Sequence, residues 1–308
     1  MELKNIIMLL TDSLRFDYVV SEVTPNLIHI AEDGVWYENC MAGNTATIKS
    51  MPIILCSSKR YDPSKSIMAR LRRYGYCSVL IHSNPLVGRE FSRGWDIAID
   101  IHSAKGHRKQ KLRRLMRKYV PHWAFKLIRG FYRSLEDEEG YLPYVKAEKK
   151  LKHVLELLPD LPEPYFLWVH LMDPHMPYYP KRTELTHLEL VRINDKLMDA
   201  VHGRYTLTEE EIELLKSLYR QEVSEMDEAI GEFYRAVDWS DKILVVTSDH
   251  GEEFGEHGGF SHHEDKFIEE LQHVPLIIVD GVERGIVHEE FSHWNLAPLI
   301  LSKALGEE

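Results

Sequence analysis

Short uninterrupted apolar runs recur along the chain: Asn5–Leu10 (NIIMLL), Cys77–Ile81, Tyr165–Val169, Lys242–Val246 (KILVV) and Pro275–Val279. Runs of this length that do not alternate with polar residues predict buried strands. Between them the apolar period becomes helical. Thr24 and Pro25 open a helix with Leu27, Ile30 and Ala31 on its apolar face and Gly34 at its end. Ser64–Tyr74 predicts a helix ending at Gly75, and Ala147, Leu151, Val154, Leu155 and Leu158 lie at helical spacing just before the Tyr165 strand. Thr208–Val237 predicts a long amphipathic helix, with Ile212, Leu215, Val223, Met226, Ile230 and Phe233 buried and three glutamates in its first turn. Ser13–Val20 also looks helical, and another helix is expected to begin near Ile48. Strands alternating with helices predict an α/β fold.

The chemistry collects where the strands end. The first run delivers Thr11 and Asp12; the Tyr165 run delivers His170, then Asp173 and His175. The Lys242 run leads through Thr247 and Ser248 into Asp249-His250-Gly251-Glu252-Glu253-Phe254-Gly255-Glu256-His257-Gly258. Open α/β sheets place ligands outside the carboxyl ends of their strands, so three runs ending in Asp or His point to one crevice. An aspartate after a strand is also a common helix cap or turn former, which is the plainer reading of Asp12 taken alone. Carboxylates and imidazoles together, without thiolate, suit a divalent cation: Mn²⁺ or Zn²⁺ first, Mg²⁺ or Ca²⁺ as alternatives.

With 308 residues and 44% hydrophobic content, the chain suits one α/β domain spanning 1–308. No stretch is apolar for long enough to cross a bilayer, and the first strand begins almost at Met1, so a cytoplasmic location is expected. Cys40, Cys56 and Cys77 have no metal-pair spacing and receive no role. The net charge of −11 conceals a segment, Lys105–Arg133, with 11 Lys and Arg and no acid, leaving −22 on the remainder. It carries Trp123, Phe125, Leu127, Ile128, Phe131 and Tyr132 and is expected to form a basic helical insertion at about 104–143. Its plainer reading is a solvated face. The other is contact with an anionic membrane surface or a lipid-linked substrate, in preference to nucleic acid, with the protein peripheral at the membrane.

The order of the segments resembles the sulfatase-like branch of the alkaline phosphatase superfamily. NIIMLLTDSLRFDYV is similar to that family's first strand and metal-binding aspartate, and TPNLIHIAEDGVWYENCMAG to its next helix and strand. PYFLWVHLMDPHMPYYP, YRQEVSEMDEAIGEFYRAV, LVVTSDHGEEFGEHG and EELQHVPLIIVDG resemble later blocks in the expected order. The resemblance implies an alkaline phosphatase-like α/β/α sandwich with a largely parallel central sheet. FSHWNLAPLILSKALG resembles the helix that closes the main domain, so the usual smaller C-terminal sheet is expected to be lacking. It further implies that Asp12, Asp249 and His250 bind a metal, and that His175 and one of His262 or His263 contact the anionic ester or a second metal.

The departure from sulfatases proper lies at the nucleophile. Their pattern is Cys or Ser, any residue, Pro, any residue, Arg, with the first residue oxidised to formylglycine. In that place this chain has Asn44-Thr45-Ala46-Thr47-Ile48-Lys49-Ser50-Met51-Pro52, and the register resembles the threonine loop of phosphoethanolamine and phosphoglycerol transferases. Thr47 is therefore the expected nucleophile and a fourth metal ligand, with Thr45 the runner-up; Cys56-Ser57-Ser58-Lys59-Arg60 lacks the proline and falls too late. Asp173 is open to a second metal site or a turn role, and Lys49 and Arg15 to a substrate-anion or a surface role. The expected activity is metal-dependent hydrolysis or transfer of phosphate esters through Thr47, assisted by His175 and His262. The alternatives are a sulfate-ester hydrolase and a non-catalytic protein that binds an anionic lipid or polymer.

Overall fold

The computed structural model of the chain describes residues 3–101 and 141–306, so Lys105–Arg133 and nearly all of the expected insertion lie outside the described residues. The strands are β1 Asn5–Thr11, β2 Val35–Met41, β3 Cys77–His82, β4 Ile97–Asp100, β5 Tyr165–Leu171, β6 Lys242–Ser248, β7 Glu253–Phe254, β8 Phe260–Ser261, β9 His273–Val279, β10 Gly285–Val287 and β11 Phe291–Ser292. The principal helices are α1 Pro25–Glu32, α2 Thr47–Cys56, α3 Ile67–Leu71, α4 Pro85–Phe91, α5 Ala147–Leu157, α6 His187–Val201, α7 Glu209–Ala236 and α8 Leu296–Leu305. The main sheet runs β10-β2-β9-β6-β1-β5-β3-β4, with β11 also on β2 and β7-β8 a separate hairpin. Only β9 is antiparallel to its neighbours among these described strands of the main sheet.

Alternation along β1 explains its unbroken apolar run. Ile7 and Leu9 enter the core beneath α1, α5, α6 and α7, whereas Ile6, Met8 and Leu10 enter the opposite core beneath α2, α3, α4 and α8. A strand covered on both faces has no solvent side to mark with polar residues. This is the expected α/β/α layering with a largely parallel sheet. After β9 the chain returns to the same sheet as β10 and β11, and α8 packs on one of its faces.

Local differences from the sequence reading have local causes. Ser13–Val20 forms only a short 3₁₀ turn at Phe16–Tyr18. The amides of Ser13, Leu14 and Arg15 donate instead to Asp249 Oδ1, Ser248 Oγ and the Tyr219 hydroxyl, so tertiary acceptors take the donors a helix would use. The Thr24 hydroxyl donates to the Tyr18 and Val20 carbonyls; Asp227 of α7 caps α1 by accepting from the Asn26 and Leu27 amides at 3.0 and 2.8 Å. Gly34 serves packing rather than turning, because a Cβ there would collide with the Ile278 carbonyl of β9. The Ser64–Tyr74 helix shortens to α3, capped by Ser66, with a 3₁₀ turn before Gly75 at φ +90°.

A buried ion pair fixes the segment after β5, which carries His175. The Lys146 ammonium donates to both Glu222 oxygens at 3.1 and 2.9 Å, to Glu225 at 3.2 Å and to the Tyr179 carbonyl at 2.6 Å. Glu222 also accepts from the Tyr179 amide, and the Tyr144 hydroxyl donates to the carbonyls of His175 and Pro177. Removing one partner leaves a buried uncompensated charge. Lys146→Met is expected to lower stability by about 3 kcal/mol in urea unfolding. An unchanged midpoint would contradict that assignment.

Candidate functional site

Sheet register assembles the site. In the parallel pair β1–β6, Thr11 lies opposite Ser248, so the next residues, Asp12 and Asp249, come side by side. In β1–β5, Leu10 lies opposite His170. Leu10 faces the α2 side of the sheet, as do Phe166 and Trp168 of β5 and Ile243 and Val245 of β6. By the two-residue alternation of strands, Asp12, His170 and Asp249 point to that same side. The start of α2 brings Thr47 to them.

The resulting cluster is tight and dry. His170 Nε2 lies 3.7 Å from Asp12 Oδ2, and His250 Nε2 lies 3.7 Å from Asp12 Oδ1 and 3.5 Å from Asp249 Oδ2. Thr47 Oγ1 is 3.2 Å from His250 Nε2. Ligand atoms of Asp12, His170 and Asp249 all fall within 4.8 Å of one another. His250 Nδ1 donates to the Gly251 carbonyl at 2.8 Å, which leaves the Nε2 lone pair facing the cluster.

Whether a cation suits this place is tested by its unmet polar groups. Asp12 Oδ2, Asp249 Oδ2, both His170 nitrogens and both Glu252 oxygens are buried without hydrogen-bond partners. Buried polar atoms are nearly always partnered, so a set of them without protein partners, gathered in one place, is suited to ligating a positive group. The titration behaviour agrees. Burial, with the charges of Asp249 and Glu252, drives the Asp12 carboxyl well above its ordinary range; burial pushes Asp249 up to about 7. Burial also holds His170 and His250 neutral, well below the usual imidazole value. Fully buried Lys150 donates to the His170 carbonyl, and burial lowers its ammonium to about 8. The residues present fit a divalent cation held by oxygen and imidazole.

Beside this cluster stand three further groups. The rings of His250 and His262 are 4.2 Å apart and those of His175 and His262 5.1 Å. His262 Nδ1 lies 3.7 Å from Glu252 Oε1. Burial opposes protonation of His262, but Glu252 and then Asp249 outweigh it and raise its pKa. Burial and then His262 depress His175 to about 4.

Other residues singled out in the sequence lie elsewhere or are otherwise engaged. Thr45 Oγ1 donates to the His263 carbonyl at 2.6 Å and accepts from the Lys266 amide at 3.1 Å, which ties its hydroxyl into the loop. The His263 side chain is exposed. Asp173 Oδ2 accepts from the Ala147 amide at 2.9 Å, serving the start of α5. Arg15 pairs with Asp17 at 2.8 Å and Glu256 at 2.7 Å, and Lys49 pairs with Glu264 at 3.5 Å on the surface. The sequence reading placed His170 and Glu252 at strand ends facing the crevice but gave neither a role. His170 lies near the end of its strand, and the register with β1 puts it beside Asp12; Glu252 is one of several neighbouring acids, distinguished by complete burial.

A family model for sulfatases matches residues 4–306. The chain belongs to the sulfatase family. It is 26% identical over 194 residues to the multifunctional alkaline phosphatase superfamily protein PehA of Trinickia caryophylli, a match covering 59% of this chain and 34% of that protein, so the chain spans about a third of the length of this curated relative. In fold it resembles the phosphonate monoester hydrolase of Agrobacterium radiobacter, at TM-score 0.66 and 17% identity, covering 98% of this chain and 74% of that one. It equally resembles the C-terminal periplasmic domain of phosphoethanolamine transferase EptC from Campylobacter jejuni, at TM-score 0.67 and 16% identity, covering 98% and 89%. This sulfatase-family chain thus shares the fold of ester-bond enzymes of the alkaline phosphatase superfamily. Among the described residues no helix is long and apolar enough to cross a membrane.

Proposed function

We propose that the chain catalyses metal-dependent phosphoryl transfer from a phosphate or phosphonate ester, to water or to an acceptor alcohol, with Thr47 as nucleophile. The observation that carries this reading is the Thr47 hydroxyl, 3.2 Å from His250 Nε2 at the edge of the orphaned carboxylate and imidazole set. Thr45, the other candidate, spends its hydroxyl on the loop. The relatives named for phosphonate ester hydrolysis and phosphoethanolamine transfer support the substrate class.

Asp12, Thr47, Asp249 and His250 would hold the cation, and His170 joins them in this reading. Two imidazoles among oxygen donors favour Zn²⁺ or Mn²⁺ over Mg²⁺ or Ca²⁺. When bound, the cation supplies Lewis-acid stabilisation of phosphoryl oxygens and lowers the hydroxyl pKa of its ligand. Thr47 Oγ, its proton released to water, forms the bond to phosphorus while the bond to the ester oxygen breaks. His262, whose protonated form Glu252 favours, gives its proton to that departing oxygen, and His175 donates or accepts a hydrogen bond beside it. Water or an alcohol then attacks the phosphothreonine, its proton passing to His262, and the bond from phosphorus to the Thr47 oxygen breaks. An unmodified threonine cannot form the formylglycine hydrate of the sulfatase route. Turnover should therefore rank matched aryl phosphate and phosphonate esters above the aryl sulfate, read as kcat/KM. Aryl sulfate turnover exceeding every phosphorus ester would reject the substrate class.

A further inference from the structure

The proposed nucleophile opens into a cavity of about 310 Å³ shared with His175 and His262. Apart from those three residues, its wall is built from Ala46, Ile48, Pro85, Leu86, Pro143 and Met172, with three further polar residues whose contacts turn towards the protein. Ser83 Oγ accepts from the Val145 amide at 3.2 Å, Asn84 Oδ1 accepts from the Leu86 amide at 2.9 Å, and the Tyr144 hydroxyl donates to the His175 and Pro177 carbonyls. No Asp, Glu, Lys or Arg occurs among the described residues of this wall. The buried acids of the site, Asp12, Asp249 and Glu252, stand outside it.

We infer that this cavity receives an uncharged, apolar ester substituent, an aryl or short alkyl group, and discriminates against one that carries an ammonium. The inference rests on the phosphoryl-transfer reading and narrows its substrate. An apolar group gains by leaving water against the Leu86, Met172 and proline surfaces. An ammonium placed there loses hydration and meets no carboxylate from the described wall, so its burial is uncompensated. The discrimination therefore falls on charge more than on size.

Two substrates isolate that term once each kcat/KM is divided by the ester's uncatalysed hydrolysis rate, because the ammonium makes its phenol the better leaving group: the 4-methylphenyl and the 4-(ammoniomethyl)phenyl esters of one phosphonate, assayed with the metal-loaded full chain. The expected result is a kcat/KM, so corrected, at least about tenfold higher for the methyl compound. Leu86→Glu, a half-buried substitution that supplies the missing carboxylate, is expected to shrink or reverse the ratio while 4-methylphenyl turnover remains measurable. An equal or higher corrected kcat/KM for the ammonium ester with the unsubstituted chain would overturn the apolar-pocket inference and leave phosphoryl transfer standing. Failure of the metal-loaded chain to turn over any phosphorus ester would reject the activity itself. An unchanged ratio in folded Leu86→Glu protein would show that a different surface receives the substituent.

Discussion

Asp249→Asn protein is expected to lose its divalent cation and its turnover together while keeping its far-ultraviolet circular dichroism. The substitution is isosteric, and the two oxygens of Asp249 do different work. Oδ1 accepts from the Ser13 and His250 amides at 3.3 and 2.9 Å, a bonding pattern an asparagine carbonyl preserves. Oδ2 has no partner and faces the Asp12, His170 and His250 cluster, where an amide NH₂ would offer hydrogens instead of a lone pair. Cation affinity should fall by about a hundredfold or more, with His250→Ala behaving alike and His170→Gln weakening binding in the same direction. Metal content after gel filtration reads the result. Full occupancy in both Asp249→Asn and His250→Ala would remove the assignment.

The same carboxyl sets a pH dependence. Burial raises Asp249 to about 7 in the cation-free chain, above its value in an unfolded one. The folded form then holds the proton more tightly, so this group's contribution to stability is present below the ordinary carboxyl pKa and lost as pH rises towards about 7. A cation that takes the place of the proton abolishes that loss. The thermal shift produced by Zn²⁺ or Mn²⁺ should therefore grow between about pH 5 and pH 7.

Thr47→Ala is expected to lower turnover of an aryl phosphate ester by roughly a hundredfold or more, because nucleophile and metal act as a unit. Thr47 is the first residue of α2, where the positive end of the helix favours a developing alkoxide, and its own hydroxyl is not spent on capping. Thr47→Ser should keep part of the activity, since it retains the hydroxyl and loses only the methyl group that restricts χ1. Thr45→Ala should disturb the loop around His263 and Lys266 without removing the chemistry. Undiminished activity in Thr47→Ala would move the nucleophile elsewhere.

The order of apolar runs along this chain was enough to predict an α/β fold with buried strands, because a strand covered on both faces is apolar at nearly every position, while the largely parallel sheet between helical layers was what the family resemblance implied. The strand ends at Asp12 and Asp249 were legible for a related reason: a charged residue that terminates such a run leaves the core at the sheet edge where parallel folds gather ligands. The threonine loop was legible through family resemblance, whose register already put Thr47 ahead of Thr45. What the fold adds is local geometry: the Thr45 hydroxyl is tied to the His263 carbonyl and the Thr47 hydroxyl lies near His250. His170 was visible as a strand-end residue facing the crevice but not as a neighbour of Asp12, since that position follows from the register of two strands about 160 residues apart in sequence. Glu252 and Glu256 lie in one short acidic stretch, yet the first is buried beside His262 and the second pairs with Arg15. Burial of that kind is a property of the packed chain. Local sequence sets which side chains are available at a strand end, and the tertiary structure sets which of them are stripped of water and faced with an uncompensated neighbour.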